Sequence, residues 1–372
     1  MSPGDPLYVW QRPDWPAWRH DVVRLLPALT RVHQDVGQLL GRLREQHGEP
    51  LVHAQLHALT QDVMKTSEIE GELLRLDSVR SSLGRRLGVD LGALPAADRR
   101  VEGLVDMVLD ATGNAHAPLT AGRLRAWQAA LFPNGLSGLS AIRVGEWRDD
   151  GDGPMQVVSG PVLRRRVHFE APPADRLDRE IAGFLAWFND EQDLDPFLKA
   201  GLAHLWFEVL HPFDDGNGRV GRAVSDMALA RADGCRQRCY SLSEQIQLQK
   251  KTYYTLLEKT SKGDLDATEW LSWFLDRLQD ALAEANRVLD RVLMKARFWR
   301  RAAGIPMNAR QAKMLNRLLD GFDGKLTNRK WSAIAKCSSD TALRDINDLL
   351  QKGLLLRTEA GRSTSYALHD DA

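Results

Sequence analysis

The sequence has little cysteine, no net charge and no long apolar run, and each absence narrows the class of protein. Its three cysteines, Cys235, Cys239 and Cys337, are too few and odd in number for a disulfide framework, which indicates a reducing compartment. No stretch approaches the roughly 18 apolar residues of a membrane span. The N-terminus also lacks a basic segment followed by an apolar run. We therefore expect a cytoplasmic protein without membrane contact.

The composition that remains is that of a globular protein. Hydrophobic residues make up 43% of the 372 residues and charged residues 27%, which excludes a disordered or collagen-like chain. The balance of charge is uneven along the chain, because the segment from Lys295 to the C-terminus holds 15 basic and 8 acidic residues. Such an excess is typical of a nucleic-acid contact and, equally, of a solvated basic face.

Most of the chain before Arg301 shows helical spacing of its apolar residues, for example from Val22 to Leu43. The pattern changes in the segment 142–173. There, the runs 156–159 and 167–169 predict a β-hairpin inserted among helices. We therefore predict a mainly α fold with one hairpin in its body.

A different unit begins after residue 304. The spacing predicts helices at 308–319, 328–335 and 338–352, then strands at 354–358 and 363–368 that turn at 360–362. Three helices followed by a hairpin is the order of a winged helix-turn-helix, whose third helix usually enters the DNA major groove. Because such modules also dock proteins, contact with DNA and contact with a protein both stay open.

The segment 210–222, LHPFDDGNGRVGR, carries the candidate chemistry. An apolar helix precedes it, and Pro212 disfavours helical backbone at His211, so the helix should end there. The run Gly216-Asn217-Gly218 then leads into a second helix, whose free N–H groups and dipole favour an anion. The segment therefore predicts a phosphate site.

The side chains around this predicted site suit a nucleotide. Arg219 and Arg222 are one turn apart on the second helix and can both face the phosphates. Asp215 is placed to hold Mg²⁺ between phosphate oxygens. His211 titrates near neutrality and can take a proton from an attacking hydroxyl. Together, these residues predict a phosphate cradle with a general base.

Two other interpretations of the segment are weaker. Gly216, Gly218 and Gly221 match the dinucleotide fingerprint, and Glu244 follows about 20 residues later. A dinucleotide loop, however, must follow a buried parallel strand, and this loop follows a helix. The set His204, Glu208 and His211 lacks the usual helical spacing of zinc ligands.

The run from His211 to Arg222 resembles the signature of the Fic family, His-x-Phe-x-Asp/Glu-Gly-Asn-Gly-Arg-x-x-Arg. The resemblance implies a Fic-type helical core that moves AMP from ATP to a Ser, Thr or Tyr hydroxyl of a protein and releases pyrophosphate. ATP is then the nucleotide substrate and Mg²⁺ the cofactor. The roles implied are catalytic base for His211, Mg²⁺ ligand for Asp215, and phosphate contacts for Gly216, Asn217, Gly218, Arg219 and Arg222.

The resemblance extends beyond this motif. The hairpin at 142–173 occupies the place of the family's flap, which aligns a target's backbone by strand addition. The segment around Tyr253 and Tyr254 is similar to the one that closes over the adenine, so both tyrosines are expected to contact ATP. The tryptophan-rich start resembles a helical domain of unknown function often fused to Fic cores. We therefore predict an N-terminal domain at 1–60, a catalytic core at 61–300 and a winged helix-turn-helix at 301–372.

The segment Thr66–Gly71 resembles the inhibitory motif of the same family, Ser/Thr-x-x-x-Glu-Gly/Asn. That resemblance implies that Glu70 reaches the second motif arginine, Arg222, and takes the place of the γ-phosphate, which makes the enzyme autoinhibited. A second interpretation is structural, since Ser67-x-x-Glu70 also fits a capping box at the N-terminus of an ordinary helix.

Two alternative functions stay open. The same site could remove AMP from a modified protein, with Glu70 orienting water. The chain could instead be a DNA-binding regulator with a nucleotide-sensing site, in which the face formed by Arg329, Lys330, Lys336 and Arg344 contacts DNA. We further expect a homodimer, and the protein itself is one candidate target for modification.

Overall fold

Helices dominate the computed structural model of this chain, which confirms the predicted mainly α fold. The structure describes residues 7–45, 48–92, 96–151, 153–160, 164–190, 193–234, 238–359 and 364–369. Cys235 and the predicted turn at 360–362 lie outside these ranges. Within them, no helix combines the length and the apolarity needed to cross a membrane.

The chain divides into two compact units, Met1–Ala285 and Asn286–Ala372. The helices that begin in the first unit are α1 (Val22–Arg44), α2 (Glu49–Ile69), α3 (Leu76–Leu87), α4 (Arg99–Gly113), α5 (Ala121–Leu131), α6 (Leu177–Asn189), α7 (Pro196–Leu210), α8 (Asn217–Asp233), α9 (Leu242–Leu248), α10 (Lys250–Ser261) and α11 (Thr268–Arg301). Its strands are β1 (Leu136–Ser137), β2 (Ser140–Ala141), β3 (Gln156–Ser159) and β4 (Arg166–Glu170). The division between the units falls inside α11, before the predicted boundary at 300/301, and the predicted boundary at 60/61 falls inside α2.

Helix α7 forms the centre of the first unit. Its apolar residues point in every direction and nearly all are buried, among them Phe197, Leu205 and Phe207. A helix that is apolar all round must be enclosed by other elements, and α6, α8 and α10 pack around it. The residues that follow α7 therefore leave a rigid core at a fixed position.

Two hairpins lie near the end of α7. Strands β3 and β4 pair antiparallel within the predicted flap segment, with a register shift between Val157 and Val158. His168 on β4 ties this hairpin to α10 through a 2.6 Å contact with Glu258. The smaller β1–β2 hairpin was not predicted, because two-residue strands are too short to show alternation.

The tryptophan-rich start packs against the base of the flap. Tyr8, Val9 and Trp10 form a buried cluster with Phe169 of β4. The indole N–H of Trp10 donates to the carbonyl oxygen of Glu170 at 2.7 Å. These residues of the N-terminal segment thus support one strand of the flap.

The second unit contains three helices and a hairpin in the predicted order. After the end of α11 come α12 (Ala309–Leu319), α13 (Asn328–Ala335), α14 (Ser339–Gln351), β5 (Leu355–Glu359) and β6 (Ser365–Leu368). Asn308, Thr327 and Ser338 cap the three helices, each side chain accepting from a backbone N–H of the first turn. Trp331 and Ile346 lie in the core of this unit. Its assignment as a winged helix stays a prediction.

Candidate active site

His211 lies at the C-terminal end of α7, in a left-handed backbone conformation (φ 44°, ψ 56°) that turns the chain toward Pro212. Its ring Nδ1 is 3.3 Å from the carbonyl oxygen of Glu208. Nδ1 therefore carries the hydrogen, and Nε2 keeps its lone pair. The side chain is 19% exposed, and burial lowers the pKa of His211 to about 4. The ring is neutral and able to accept a proton at neutral pH.

The loop between α7 and α8 is held by the side chain of Asn217. The Asn217 Oδ1 accepts from the backbone N–H of Phe213 at 2.9 Å, and its Nδ2 donates to the Phe213 carbonyl at 2.7 Å. Both groups are buried. The Asn217 side chain is thus engaged with the loop, so a phosphate contact by this residue would come from its backbone N–H at the start of α8.

Asp215 lies at the rim of the same loop. One carboxylate oxygen contacts the hydroxyl of Ser137 on the β1–β2 hairpin, and the other accepts from the backbone N–H of Gly216. Within the described residues, no cluster of three or more His, Cys, Asp or Glu side chains could hold a metal ion by itself. One carboxylate beside the predicted phosphate site would fit Mg²⁺, which commonly binds one or two carboxylates together with substrate phosphates.

The two motif arginines both point to the start of α8 and are both paired with carboxylates. Arg222 is 2% exposed; its Nη2 donates to Glu70 Oε1 at 2.6 Å, and its Nε donates to the Thr66 hydroxyl at 2.7 Å. Arg219 is 6% exposed and its Nη1 donates to Glu72 Oε2 at 2.9 Å. The sequence predicted the first of these carboxylates and missed the second.

Glu70 follows the last residue of α2, at the C-terminal end of that helix. This position rules out the alternative in which Ser67 and Glu70 form a capping box at a helix N-terminus. The glycine at 218 makes the approach of Glu70 to α8 possible, because a Cβ there would collide with the Glu70 carboxylate. The predicted pairing of Glu70 with Arg222 is present in the structure.

The two tyrosines on α10 differ from each other. Tyr253 is 1% exposed, and its hydroxyl lies 2.9 Å from Nε2 of His204 in the core. Its side chain therefore faces the core and not a nucleotide site, in contrast to the prediction that it contacts ATP. Tyr254 is 40% exposed, and its hydroxyl is 3.5 Å from the carbonyl oxygen of Ile69 at the end of α2. Of the pair, Tyr254 keeps the accessible surface that an adenine contact needs.

Sequence reasoning missed Arg148, which joins the flap to the end of α7. Its side chain is fully buried, with Nε donating to the His211 carbonyl at 2.8 Å and Nη2 to the Pro172 carbonyl at 2.6 Å. Nη1 pairs with Asp150 at 3.1 Å. No local pattern marks this arginine, because its carbonyl partners lie 63 and 24 residues away.

Glu208 is a buried carboxyl group one turn before His211 and 3.9 Å from its ring. Burial raises the pKa of Glu208 to about 7, and the charge of Glu70 adds to this although Arg222 opposes it. A cue was present in the sequence, since Glu208 is the one acid in the apolar run 196–210. His211, the predicted base, therefore has a titratable neighbour.

Family models match two parts of the chain. Residues 8–89 match a domain of unknown function, DUF4172. Residues 118–229, which contain the hairpins, α7 and most of α8, match the Fic/DOC family. Both matches agree with the resemblances found in the sequence.

Curated relatives match short parts of the chain. A probable protein adenylyltransferase of Aquifex aeolicus is 39% identical over 61 residues, which are 16% of this chain and 19% of that protein. The protein adenylyltransferase Fic of Drosophila mojavensis is 32% identical over 120 residues, 30% of this chain and 22% of its own length. The chain thus spans about a fifth of each of these relatives.

Solved structures show the same fold over a longer span. A Fic family protein from Desulfovibrio desulfuricans covers 93% of this chain and 97% of its own, with a TM-score of 0.54 and 21% identity. A Fic domain containing signaling protein from Bacteroides thetaiotaomicron covers 71% of this chain and 98% of its own, with a TM-score of 0.51 and 20% identity. At this identity, the likeness concerns the fold alone.

Proposed function

We propose that this chain, whose residues 118–229 match the Fic/DOC family, transfers AMP from ATP to a hydroxyl group of a protein. The observation that carries the proposal is the placement of a neutral His211 beside the N-terminus of α8, where Arg219 and Arg222 also lie. The names of the curated relatives support the same activity.

In the proposed reaction, His211 is the general base. Its Nε2 takes the proton of a Ser, Thr or Tyr hydroxyl of the target while the hydroxyl oxygen attacks the α-phosphorus of ATP. The bond from that phosphorus to the β-phosphate oxygen breaks, and pyrophosphate leaves. The hydrogen bond from Nδ1 to the Glu208 carbonyl fixes the ring in the tautomer that this step needs.

The phosphates of ATP would bind at the start of α8. Its first backbone N–H groups have no intrahelical partner, and the helix dipole adds a partial positive charge there. Arg219 and Arg222 would contact the β- and γ-phosphates through their planar guanidinium groups. Asp215 would hold Mg²⁺, which neutralises phosphate charge when bound.

The same geometry supports autoinhibition. The Glu70 carboxylate accepts a hydrogen bond from Nη2 of Arg222. A γ-phosphate would therefore compete with this carboxylate for the same guanidinium group. A phosphate chain that cannot reach Arg222 leaves the α-phosphorus misaligned for attack. The flap strands β3 and β4 would hold the backbone of the target by strand addition.

Position-specific labelling tests the reaction. Glu70→Gly is incubated with ATP labelled either at the α-phosphate or at the γ-phosphate, with and without a protein extract, and Glu70→Gly/His211→Ala is the matched control. We expect protein-bound label from the α-position only, and none with the double variant. Label from the γ-position would show phosphate transfer instead. Loss of α-label from the modified protein when the wild type, which keeps Glu70, is added afterwards would favour removal of AMP.

The second unit suggests a separate role in DNA contact. Arg329, Lys330, Lys336 and Arg344 are all exposed on α13 and α14 or between them, and the segment from Lys295 carries the basic excess. Binding of duplex DNA by the full chain should weaken steeply as salt rises. Replacing Arg329 and Arg344 with Gln should reduce that binding and leave AMP transfer unchanged. Absence of binding at low salt would remove this role.

A further inference from the structure

A second carboxylate, Glu72, lies two residues after Glu70 and pairs with the other motif arginine. Arg219 Nη1 donates to Glu72 Oε2 at 2.9 Å, while Arg222 Nη2 donates to Glu70 Oε1 at 2.6 Å. Each arginine of the phosphate cradle is therefore paired with a carboxylate from the same short segment. Their guanidinium groups are buried, whereas the two carboxylates are about one-third exposed.

The backbone places Glu72 beside the end of α2. Gly71 adopts φ +85°, which glycine tolerates, and the chain folds back so that the N–H of Glu72 donates to the Ser67 carbonyl at 2.9 Å. This turn directs the Glu72 side chain toward α8 and α4. The position is thus set by the same helix end that positions Glu70.

Glu72 divides its two oxygens between two arginines. Oε2 contacts Arg219, and Oε1 contacts Nη2 of Arg100 in the first turn of α4. The side chain of Arg100 is 50% exposed, whereas that of Arg219 is 6% exposed. Glu72 can therefore give up Arg219 and still keep a cationic partner at the surface.

The space for this movement is present. A cavity of about 220 Å³ lies beside the cradle and is lined by Glu72, Arg100 and Arg219, with Ser67 at its wall. The buried Nε of Arg219 and the buried hydroxyl of Ser67 have no hydrogen-bond partner among the described residues. The contact with Glu72 thus leaves Arg219 partly unsatisfied, and a phosphate group could engage more of its donors.

We propose that Glu72 is a second gate on the phosphate cradle, which covers Arg219 as Glu70 covers Arg222, and that Arg100 retains Glu72 when a polyphosphate takes Arg219. The inference rests on the proposed function, since the ligand that displaces Glu72 is the polyphosphate chain of the nucleotide. Glu72 then sets how strongly the site distinguishes pyrophosphate and ATP from AMP, which has no β- or γ-phosphate.

Equilibrium binding of nucleotides and pyrophosphate to the 372-residue chain tests the gate. The variant is Glu72→Gln, and the matched control is Glu68→Gln, because Glu68 is equally exposed near the end of α2 and pairs with Lys65 and Gln247 instead of a motif arginine. We expect Glu72→Gln to bind inorganic pyrophosphate and ATP about tenfold more tightly, the weight of one charge-assisted hydrogen bond. The affinity for AMP should be unchanged, and Glu68→Gln should resemble the wild type.

Unchanged or weaker pyrophosphate binding by Glu72→Gln would overturn the gate. If Glu72→Gln gives that result but every variant still binds ATP, the proposed function survives and only the role of Glu72 is lost. If no variant binds ATP or pyrophosphate, both proposals fail. A melting curve for each variant shows that the compared proteins are folded.

A second experiment tests whether Arg100 holds the Glu72 carboxylate after Glu72 leaves Arg219. Arg100→Ala deprives Glu72 of its second partner, so we expect several-fold weaker pyrophosphate binding when Glu72 is present and no effect when Glu72 is Gln. An equal loss in both backgrounds would make Arg100 a direct phosphate contact. That result would contradict the proposed exchange of partners.

Discussion

The loop between α7 and α8 and the segment at the end of α2 meet at the same two arginines, yet they are held in different ways. The loop is fixed by buried bonds to backbone groups, from Asn217 to Phe213 and from Arg148 to the His211 carbonyl. The segment is fixed to the arginines by carboxylates of Glu70 and Glu72 that remain about one-third exposed. On our proposal, the loop is a rigid cradle for the phosphates and the segment is a cover that can be released without unfolding the cradle.

The largest effect on AMP transfer is expected from a substitution in the loop between α7 and α8. His211→Ala in the Glu70→Gly background should lower AMP transfer by about 10²–10⁴-fold, because a general base contributes about that factor. The affinity for ATP should change little, since the arginines and α8 remain. Initial rates of label incorporation and a calorimetric titration with ATP measure the two quantities. Turnover equal to that of the parent would contradict the assignment of His211.

The next effect comes from the cover. Glu70→Gly should raise AMP transfer about tenfold or more over the wild type, because it frees Arg222 for the nucleotide. Arg222→Ala should stay inactive in both backgrounds, since removing the cover cannot replace a missing phosphate contact. The four proteins are compared in one labelling assay. No gain from Glu70→Gly would mean that the ion pair is structural only.

A stability measurement separates the two regions further. Asn217→Ala removes both partners of the Phe213 backbone groups, so we expect the free energy of unfolding to fall by about 2–4 kcal/mol. Glu72→Gln should change it by less than about 1 kcal/mol, because its carboxylate is partly exposed. Urea unfolding of both variants gives the two values. Equal losses would show that the cover is as structural as the loop.

The smallest effect concerns pH. The pKa of His211 is lowered to about 4 by burial, so the base stays neutral down to about pH 5. Protonation of His211 should therefore produce no fall in kcat/KM between about pH 8 and 5, where an ordinary histidine would lose half its activity near pH 6.5. If kcat/KM does change near pH 7 and this change disappears in Glu208→Gln, the titrating group is Glu208. A fall in kcat/KM near pH 6.5 that persists in Glu208→Gln would contradict the low pKa of His211.

Local signals in the sequence were enough to predict the helices of the second unit and the end of a helix at His211. Helix caps such as Asn308 and Ser338 act within a few residues, so they can be recognised without the tertiary structure. The same holds for His211, whose position follows from Pro212. The pairing of Glu70 with Arg222 could be expected from the family resemblance.

Contacts between distant parts of the chain could not be predicted in this way. Glu72 and Arg219 are 147 residues apart, and no motif connects them. Tyr253 was expected near the nucleotide because the sequence does not show which of two adjacent tyrosines faces the core, and packing against His204 decides that. Arg148 was missed for the same reason, since its partners are backbone carbonyls.

Hydrogen exchange with and without ATP tests the difference between cradle and cover most directly. The reporters are the amide of Glu72, bonded to the Ser67 carbonyl, and the amide of Phe213, bonded to Asn217 Oδ1. On addition of ATP with Mg²⁺ we expect faster exchange at Glu70–Glu72 and unchanged, slow exchange at Phe213. Faster exchange at Phe213, or no change at Glu70–Glu72 with ATP bound, would contradict a rigid cradle under a releasable cover.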